Sequence, residues 1–242
     1  MKIKEFFERY FLVHKCGGCR EILEYEHIHD ALCEKCMLKY NVAKSATCPI
    51  CNQSAVECAC MPKGLARTGA VCLRKLFFYS SERAGEPQNR MIYLLKKQKI
   101  RRVARFVAEE LYPIVKSELS VLEATGKDTV IVGVPRTKRA RAAWGFDQSE
   151  LISKELSSVS GIPYVELIRR KRGGKEQKKL DSDKRFRNTE NLFDICEDAD
   201  VNGKYVILFD DVVTTGASMA ACVKLLRRSG AKAVICMCIA QD

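Results

Sequence analysis

VILFDDVVTTGASM, residues 206–219, runs from a β-branched apolar segment into two adjacent carboxylates, Asp210 and Asp211, and then into Thr214, Thr215, Gly216 and Ser218. An Ala- and Leu-rich stretch with helical spacing follows and ends near Gly230. A buried strand, a small polar turn and a helix start form the usual anion site of α/β sheets. Amides of the turn and helix N-terminus point at the ligand, and the helix dipole favours negative charge there. The carboxylates ahead of that cradle do not bind phosphate, but they suit sugar hydroxyls or a divalent metal. Phosphate, sugar and metal together point to a phosphorylated ribose. A surface turn that only caps a helix needs one such side chain; here six stand in fixed order. A Walker-type loop is excluded, because GxxxxGK[ST] occurs nowhere in the chain.

The pattern extends outward. Residues 129–134 (TVIVGV), 204–209 and 233–240 are apolar runs of the kind buried on both faces of a sheet, and residues 148–158 and 218–229 have helical spacing. Residues 90–115 are expected to form one long amphipathic helix with Ile92, Leu95, Val103, Phe106, Val107 and Leu111 as its apolar stripe, kinked or ended at Pro113. Residues 70–79 read as extended, and Gly161, Ile162 and Pro163 as a turn into a short strand at 164–168. Strands alternating with helices imply an α/β fold with a mainly parallel sheet and helices on both faces. Ligands of such sheets bind at the carboxyl ends of the strands. The turn after Val134 is therefore expected beside the turn after Phe209.

That second turn reads Pro135, Arg136, Thr137, Lys138, Arg139, Ala140, Arg141. Its cations directly after a core strand suit a second polyanionic group such as pyrophosphate; the alternative is a solvated loop. A third basic element, residues 169–188 (RRKRGGKEQKKLDSDKRFRN), has two glycines and almost no apolar residues, and reads as a mobile hood. Closing it would exclude water and bring cations to a developing negative charge.

The net charge of +12 is unevenly placed. Residues 1–62 carry eight basic and eight acidic side chains, so the whole excess lies in residues 63–242. It concentrates at 63–105, with twelve basic against two acidic, and at 166–188, with ten against four. Such blocks attract nucleic acid, an anionic membrane surface or a polyanionic small molecule, or simply form a solvated face. No signal peptide is read in the first fifteen residues, and the longest apolar run, 233–240, is too short to span a bilayer. A cytosolic protein with reduced thiols is the expectation.

Eight of the thirteen cysteines fall between positions 16 and 60. Cys16-x-x-Cys19 and Cys33-x-x-Cys36 have the spacing that lets two tight turns complete a zinc tetrahedron, with Gly17 and Gly18 inside the first turn. Cys48-x-x-Cys51 followed by Cys58-x-Cys60 makes a second possible zinc site. The alternatives there are ligation mixed with the first quartet, or metal-free thiols. His14, His27 and His29 read as exposed turn residues, and a short helix is expected from Met37. Metal binding supplies folding energy to such a module, which reads as a scaffold or docking surface. Cys72, Cys196, Cys222, Cys236 and Cys238 read as small apolar packing residues. The chain is thus expected to comprise a zinc-binding cysteine module at 1–62 and an α/β domain at 63–242.

The apolar–Asp–Asp–x–x–Thr–Thr–Gly–x–[Ser/Thr] pattern resembles the phosphoribosyl-pyrophosphate loop of type I phosphoribosyltransferases. The resemblance extends to the competence-associated ComF family, of the ComFC type, over residues 16–240. It is carried by the cysteine module, Tyr79 and Lys97, Pro135, and Gly145-Phe146-x-Gln148. Arg170-x-Arg172, Gln177, Leu180, Arg185-x-x-Asn188, Phe193 and the Asp-Asp loop complete it. Two departures stand out: Trp144 and Asp147 where the family reads Arg and Asn, and the Cys58-x-Cys60 spacing.

The resemblance implies Mg2+-bound phosphoribosyl pyrophosphate. Its 5′-phosphate would rest on Val213, Thr214, Thr215, Gly216, Ala217 and Ser218, and its ribose hydroxyls on Asp210 and Asp211, directly or through metal. Its pyrophosphate would lie on Pro135, Arg136, Lys138 and Arg139, under a hood carrying Arg172, Gln177 and Arg185. On this reading the chain is a phosphoribosyltransferase, with Asp210 or Asp211 helping to stabilise cationic character on the sugar. The other reading is a phosphoribosyl-pyrophosphate sensor or a single-stranded DNA-binding accessory of transformation, alongside a helicase-like partner. Aromatic side chains for base stacking near the basic blocks are few.

Overall fold

Successive residues of the central strands face opposite sides of the sheet, and this alternation divides the core into two layers. The computed structural model describes residues 13–80, 82, 84–171, 192–196 and 200–242. In chain order the elements are α1 (Glu34–Lys44), α2 (Lys63–Ala66), β1 (Leu73–Arg74), β2 (Phe77–Phe78), α3 (Pro87–Lys97), α4 (Arg101–Val121) and β3 (Thr129–Gly133). They continue with α5 (Lys138–Trp144), α6 (Gln148–Ser160), β4 (Ile168–Arg170), β5 (Phe193–Ile195), β6 (Tyr205–Val213), α7 (Ala217–Arg228) and β7 (Ala233–Gln241). The sheet runs β1-β7-β6-β3, with β2 also on β7, and every pairing in it is parallel. β4 and β5 form a separate antiparallel pair.

One layer joins Ile131, Ile207, Phe209, Ile235, Met237 and Ile239 to the buried faces of α3, α4 and α6. The other joins Val130, Val132, Val206, Leu208, Val234, Cys236 and Cys238 to α7 through Met219, Ala220, Cys222, Val223 and Leu226. Helices therefore cover both faces of a parallel sheet, which is why the central stretches of β3, β6 and β7 are continuous apolar runs. The cysteine-rich segment shares the first layer. Cys16, Leu32, Cys36 and Tyr40 belong to the same cluster as Phe77, Met91, Ile92 and Val103. The Tyr40 ring sits edge-on to Phe77 at 6.0 Å between centroids and 5.2 Å from Phe106.

Five local expectations are corrected. The single helix of residues 90–115 is two helices, with Gln98 and Ile100 extended between them. In one continuous helix Lys99 would fall into the apolar stripe between Leu95 and Val103; the break leaves Lys99 exposed. Pro113 does not end α4, which continues to Val121 because Val107, Ala108, Leu111 and Val115 are buried on both sides of the proline. Burial of such side chains, about 1.5–3 kcal/mol each, outweighs the roughly 3 kcal/mol of an interior proline. The strand ahead of the carboxylates continues through them to Val213, because β7 offers Cys238, Ala240 and Gln241 as partners to Asp210, Val212 and Val213. The strand expected at 164–168 is a single bridge from Tyr164 to Ile131, after which the chain leaves the sheet for β4. The basic turn is also shorter than its sequence suggests, since α5 begins at Lys138.

Candidate functional site

The end of β3 meets the carboxylate stretch of β6 here. Gly133 is opposite Phe209, and the Val134 amide donates to the Phe209 carbonyl at 2.8 Å. The segment after β3 and the carboxylates of β6 are therefore neighbours, as the order of strands and helices implied. Asp210 Oδ1 accepts the Ser149 hydroxyl at 3.2 Å and the Asp211 amide at 2.9 Å. Asp211 Oδ1 accepts the Val212 amide at 2.8 Å, and its Oδ2 lies 3.4 Å from Lys96 Nζ. Burial first, and then the charge of Asp211, push the Asp210 carboxyl well above the usual range. Two adjacent hard oxygen ligands, with Asp210 destabilised as an anion, are a fit for a divalent cation such as Mg2+, or for hydroxyl donors.

The segment after β6 turns on Gly216, which caps α7 at φ +73°. Residues 213–219 and Asp210 line a cavity of about 90 Å³. Thr214 and Thr215 are exposed and Ser218 is half-buried. Twelve residues of helix stand behind this turn, and its N-terminal amides supply the partial positive charge that an anion would meet. The turn is braced from beneath: a Cβ on Gly216 would lie 3.3 Å from Pro62 Cγ and 3.4 Å from Leu65 Cβ.

Across from it, Asp147 holds the basic segment in place. Its Oδ1 accepts the Ser149 and Glu150 amides at 3.0 and 3.3 Å and so caps α6, while its Oδ2 accepts the Arg136 amide at 3.0 Å. Asparagine has one acceptor oxygen and would turn an NH2 group towards one of these donors. The departure at this position therefore has a structural role. Arg136 Nη1 is buried and has no hydrogen-bond partner among the described residues. Next to it a cleft of about 520 Å³ is lined by Arg136, Arg141, Arg169, Arg170 and Lys171, against Glu166 and Asp194. Lys138 and Arg139 open α5. Trp144 stays 42 % exposed, with Lys97 Nζ 5.5 Å from its ring centre. Arg172, Gln177 and Arg185 of the expected hood lie outside the described residues; β4 and β5, which flank that segment, pair with Arg170 opposite Phe193.

Both cysteine quartets assemble. The ligand atoms of Cys16, Cys19, Cys33 and Cys36 lie within 4.8 Å of one another, and so do those of Cys48, Cys51, Cys58 and Cys60. Cys19 Sγ and Cys33 Sγ are 3.7 Å apart; a tetrahedron with ~2.3 Å Zn–S bonds has edges of about 3.8 Å. Both quartets could thus hold a metal such as zinc, without mixing ligands. Burial works to raise the Cys16 thiol, but amide hydrogen bonds from Cys33, Cys19 and Gly18 outweigh it and lower the thiol to about 7. The same opposition, with the Cys51 and Ile50 amides donating, lowers Cys48 to about 6. Gly18 is needed for contact: a Cβ there would sit 2.8 Å from both Cys36 Sγ and Pro87 Cβ. His14, His27 and His29 take no part in either cluster. Cys72, Cys222, Cys236 and Cys238 are buried as expected, whereas Cys196 is half-buried.

Sequence reasoning missed Ser149 as the partner of Asp210 and Lys96 as the partner of Asp211. It also missed Asp147 as the clamp on Arg136. Only the last had a local signal, an Asp immediately before a helical segment.

The phosphoribosyl transferase domain model matches residues 114–242, which include the carboxylate pair, the Gly216 turn and the basic segment. The chain is 36% identical over 110 residues to the DNA utilization protein YhgH of Escherichia coli K12, covering 45% of this chain and 48% of that one. The Salmonella typhi protein of the same name matches at 36% over 110 residues. The chain spans about half the length of these curated relatives. Among solved structures, purine phosphoribosyltransferase from Pyrococcus horikoshii aligns at 20% identity and a TM-score of 0.33, over 57% of this chain and 71% of that one. Phosphoribosylpyrophosphate synthetase from Mycobacterium smegmatis aligns at 22% and 0.34, over 54% and 33%. The family model covers more than half of the sequence, and the chain belongs to the phosphoribosyl transferase domain family as a phosphoribosyltransferase-like protein of the ComF type.

Proposed function

We propose that the chain binds phosphoribosyl pyrophosphate with Mg2+ and transfers its phosphoribosyl group, in the service of DNA utilization. One observation carries this reading: a carboxylate pair lies between a helix-start anion turn and a segment with a buried, unpartnered guanidinium nitrogen. The 5′-phosphate would rest on the amides of residues 213–218 and the hydroxyls of Thr214, Thr215 and Ser218. Asp210 and Asp211 would hold the ribose hydroxyls, directly or through Mg2+. Arg136 and its neighbours on the basic segment would hold the pyrophosphate. In the transfer, the bond from the anomeric carbon to the pyrophosphate oxygen breaks and its electron pair leaves with pyrophosphate. A lone pair of the acceptor forms the new bond to that carbon, and any proton on the attacking atom passes to solvent. Arg136 stabilises that developing charge, while the carboxylates favour the cationic sugar. Mg2+ would supply further neutralisation of the leaving group.

Titrating the protein with phosphoribosyl pyrophosphate and Mg2+ tests this. The expected result is saturable binding that falls at least ~100-fold in D210N/D211N, as for removal of two charge-assisted contacts. Equal binding by the two proteins would sink the assignment. Release of pyrophosphate on adding acceptors then reports transfer.

The name of the relatives and the exposed Lys97 and Lys99 beside the site support a companion role at DNA. Affinity for single-stranded DNA should fall steeply with salt, and K97Q/K99Q should flatten that slope by about 1–2 units. A slope that does not change in this variant would argue against backbone contact on that face.

A further inference from the structure

Lys75 is a lysine with no exposed surface, placed between β1 and β2 at the sheet edge. Its Nζ lies 3.1 Å from Cys58 Sγ and 3.3 Å from the carbonyl oxygens of Cys58 and Cys60. An ammonium has three donors, and these are three acceptors. The Phe78 ring lies 5.3 Å from the same nitrogen. No carboxylate of the described residues is ion-paired with it. A buried ammonium whose partners are neutral carbonyls and a neutral thiol is strongly unfavourable, because its charge is unbalanced in a dry environment.

Four thiolates around one divalent cation carry a net charge of minus two. We infer that Cys48, Cys51, Cys58 and Cys60 hold a divalent metal as a tetrathiolate, and that Lys75 is its buried counter-cation, hydrogen-bonded to the Cys58 sulfur. Cys58 and Cys60 are the pair with the shortened spacing. That spacing places both of their carbonyls and one sulfur around a single ammonium. The lysine thus fixes the less regular half of the quartet and ties it to the sheet edge. Groups of this kind, one shell beyond the ligands, typically change metal affinity by about 10–100-fold.

The test uses the full chain with Zn2+ and with 113Cd2+ as probes. Two zinc ions per chain are expected at saturation. K75Q should weaken the second by about ten-fold or more while leaving the first unchanged, and K75R, which keeps the charge, should retain it. With 113Cd2+, K75Q should move one of two tetrathiolate resonances and leave the other in place. In the wild-type chain, an amine-reactive label read by mass spectrometry should spare Lys75 when metal is bound and modify it after chelation. This last measurement holds even if K75Q does not fold. One zinc per chain, equal zinc affinity in K75Q, loss of zinc from K75R as large as from K75Q, or equal labelling with and without metal would each overturn the inference.

Discussion

Asp210 carries a charge that its surroundings oppose, and this makes a pH prediction. Its folded pKa is raised, so between the ordinary carboxylate value and the folded one the native state binds more protons than the unfolded chain. Native stability is therefore lost as pH rises through that window, and the penalty is absent below it. Asp210→Asn keeps an oxygen for the Ser149 hydroxyl and the Asp211 amide while removing the charge. In the ligand-free protein it should raise Tm by about 2–4 °C at neutral pH, of the order of 1 kcal/mol, with no gain below about pH 4. Thermal melts across pH check this; a constant difference at all pH values would contradict it. The two carboxylates were legible because the pattern that marks them is local. Ser149 and Lys96 were not, because only the packing of α6 and α3 against the strand ends brings them there.

At the scale of elements, the start of β6 and both ends of α7 were read to within a residue, since an apolar run, a glycine and a helical stripe each impose one conformation. The far end of β6 was not, because its last four residues are held by pairing with β7. Gly216→Ala should cost about 1–2 kcal/mol, because φ +73° strains a side chain and its Cβ would press on Pro62 and Leu65. Urea unfolding measures this, and a change below a few tenths of a kcal/mol would contradict it. Asp147→Asn should lower stability by about 1 kcal/mol by opposing one amide donor of the Arg136–α6 clamp. The break between α3 and α4 was missed for a physical reason. Periodicity alone marks a stripe, whereas the exclusion of Lys99 from the core becomes visible only once both helices have a partner to pack on.

The molecule as a whole is joined more closely than its composition suggests. Charge balance separates residues 1–62 from the rest, yet Cys16, Cys36 and Tyr40 lie in one cluster with Phe77 and Met91. Stripping metal should therefore lower the melting temperature of the entire chain, by about 10 °C or more, in one transition and not two. Calorimetry before and after chelation distinguishes these outcomes. The cysteine spacing announced the module but carried no information on where it docks, since docking depends on the shapes of faces distant in sequence. Pro62 sharpens the point, because with Leu65 it forms the floor under Gly216. Trimming the chain to residues 63–242 would delete the Pro62 side of that floor along with the eight clustered thiols. Weakened ligand affinity in such a fragment would then report a sagging turn, whatever the metal does; a fragment that begins one residue earlier keeps Pro62 and separates the two effects.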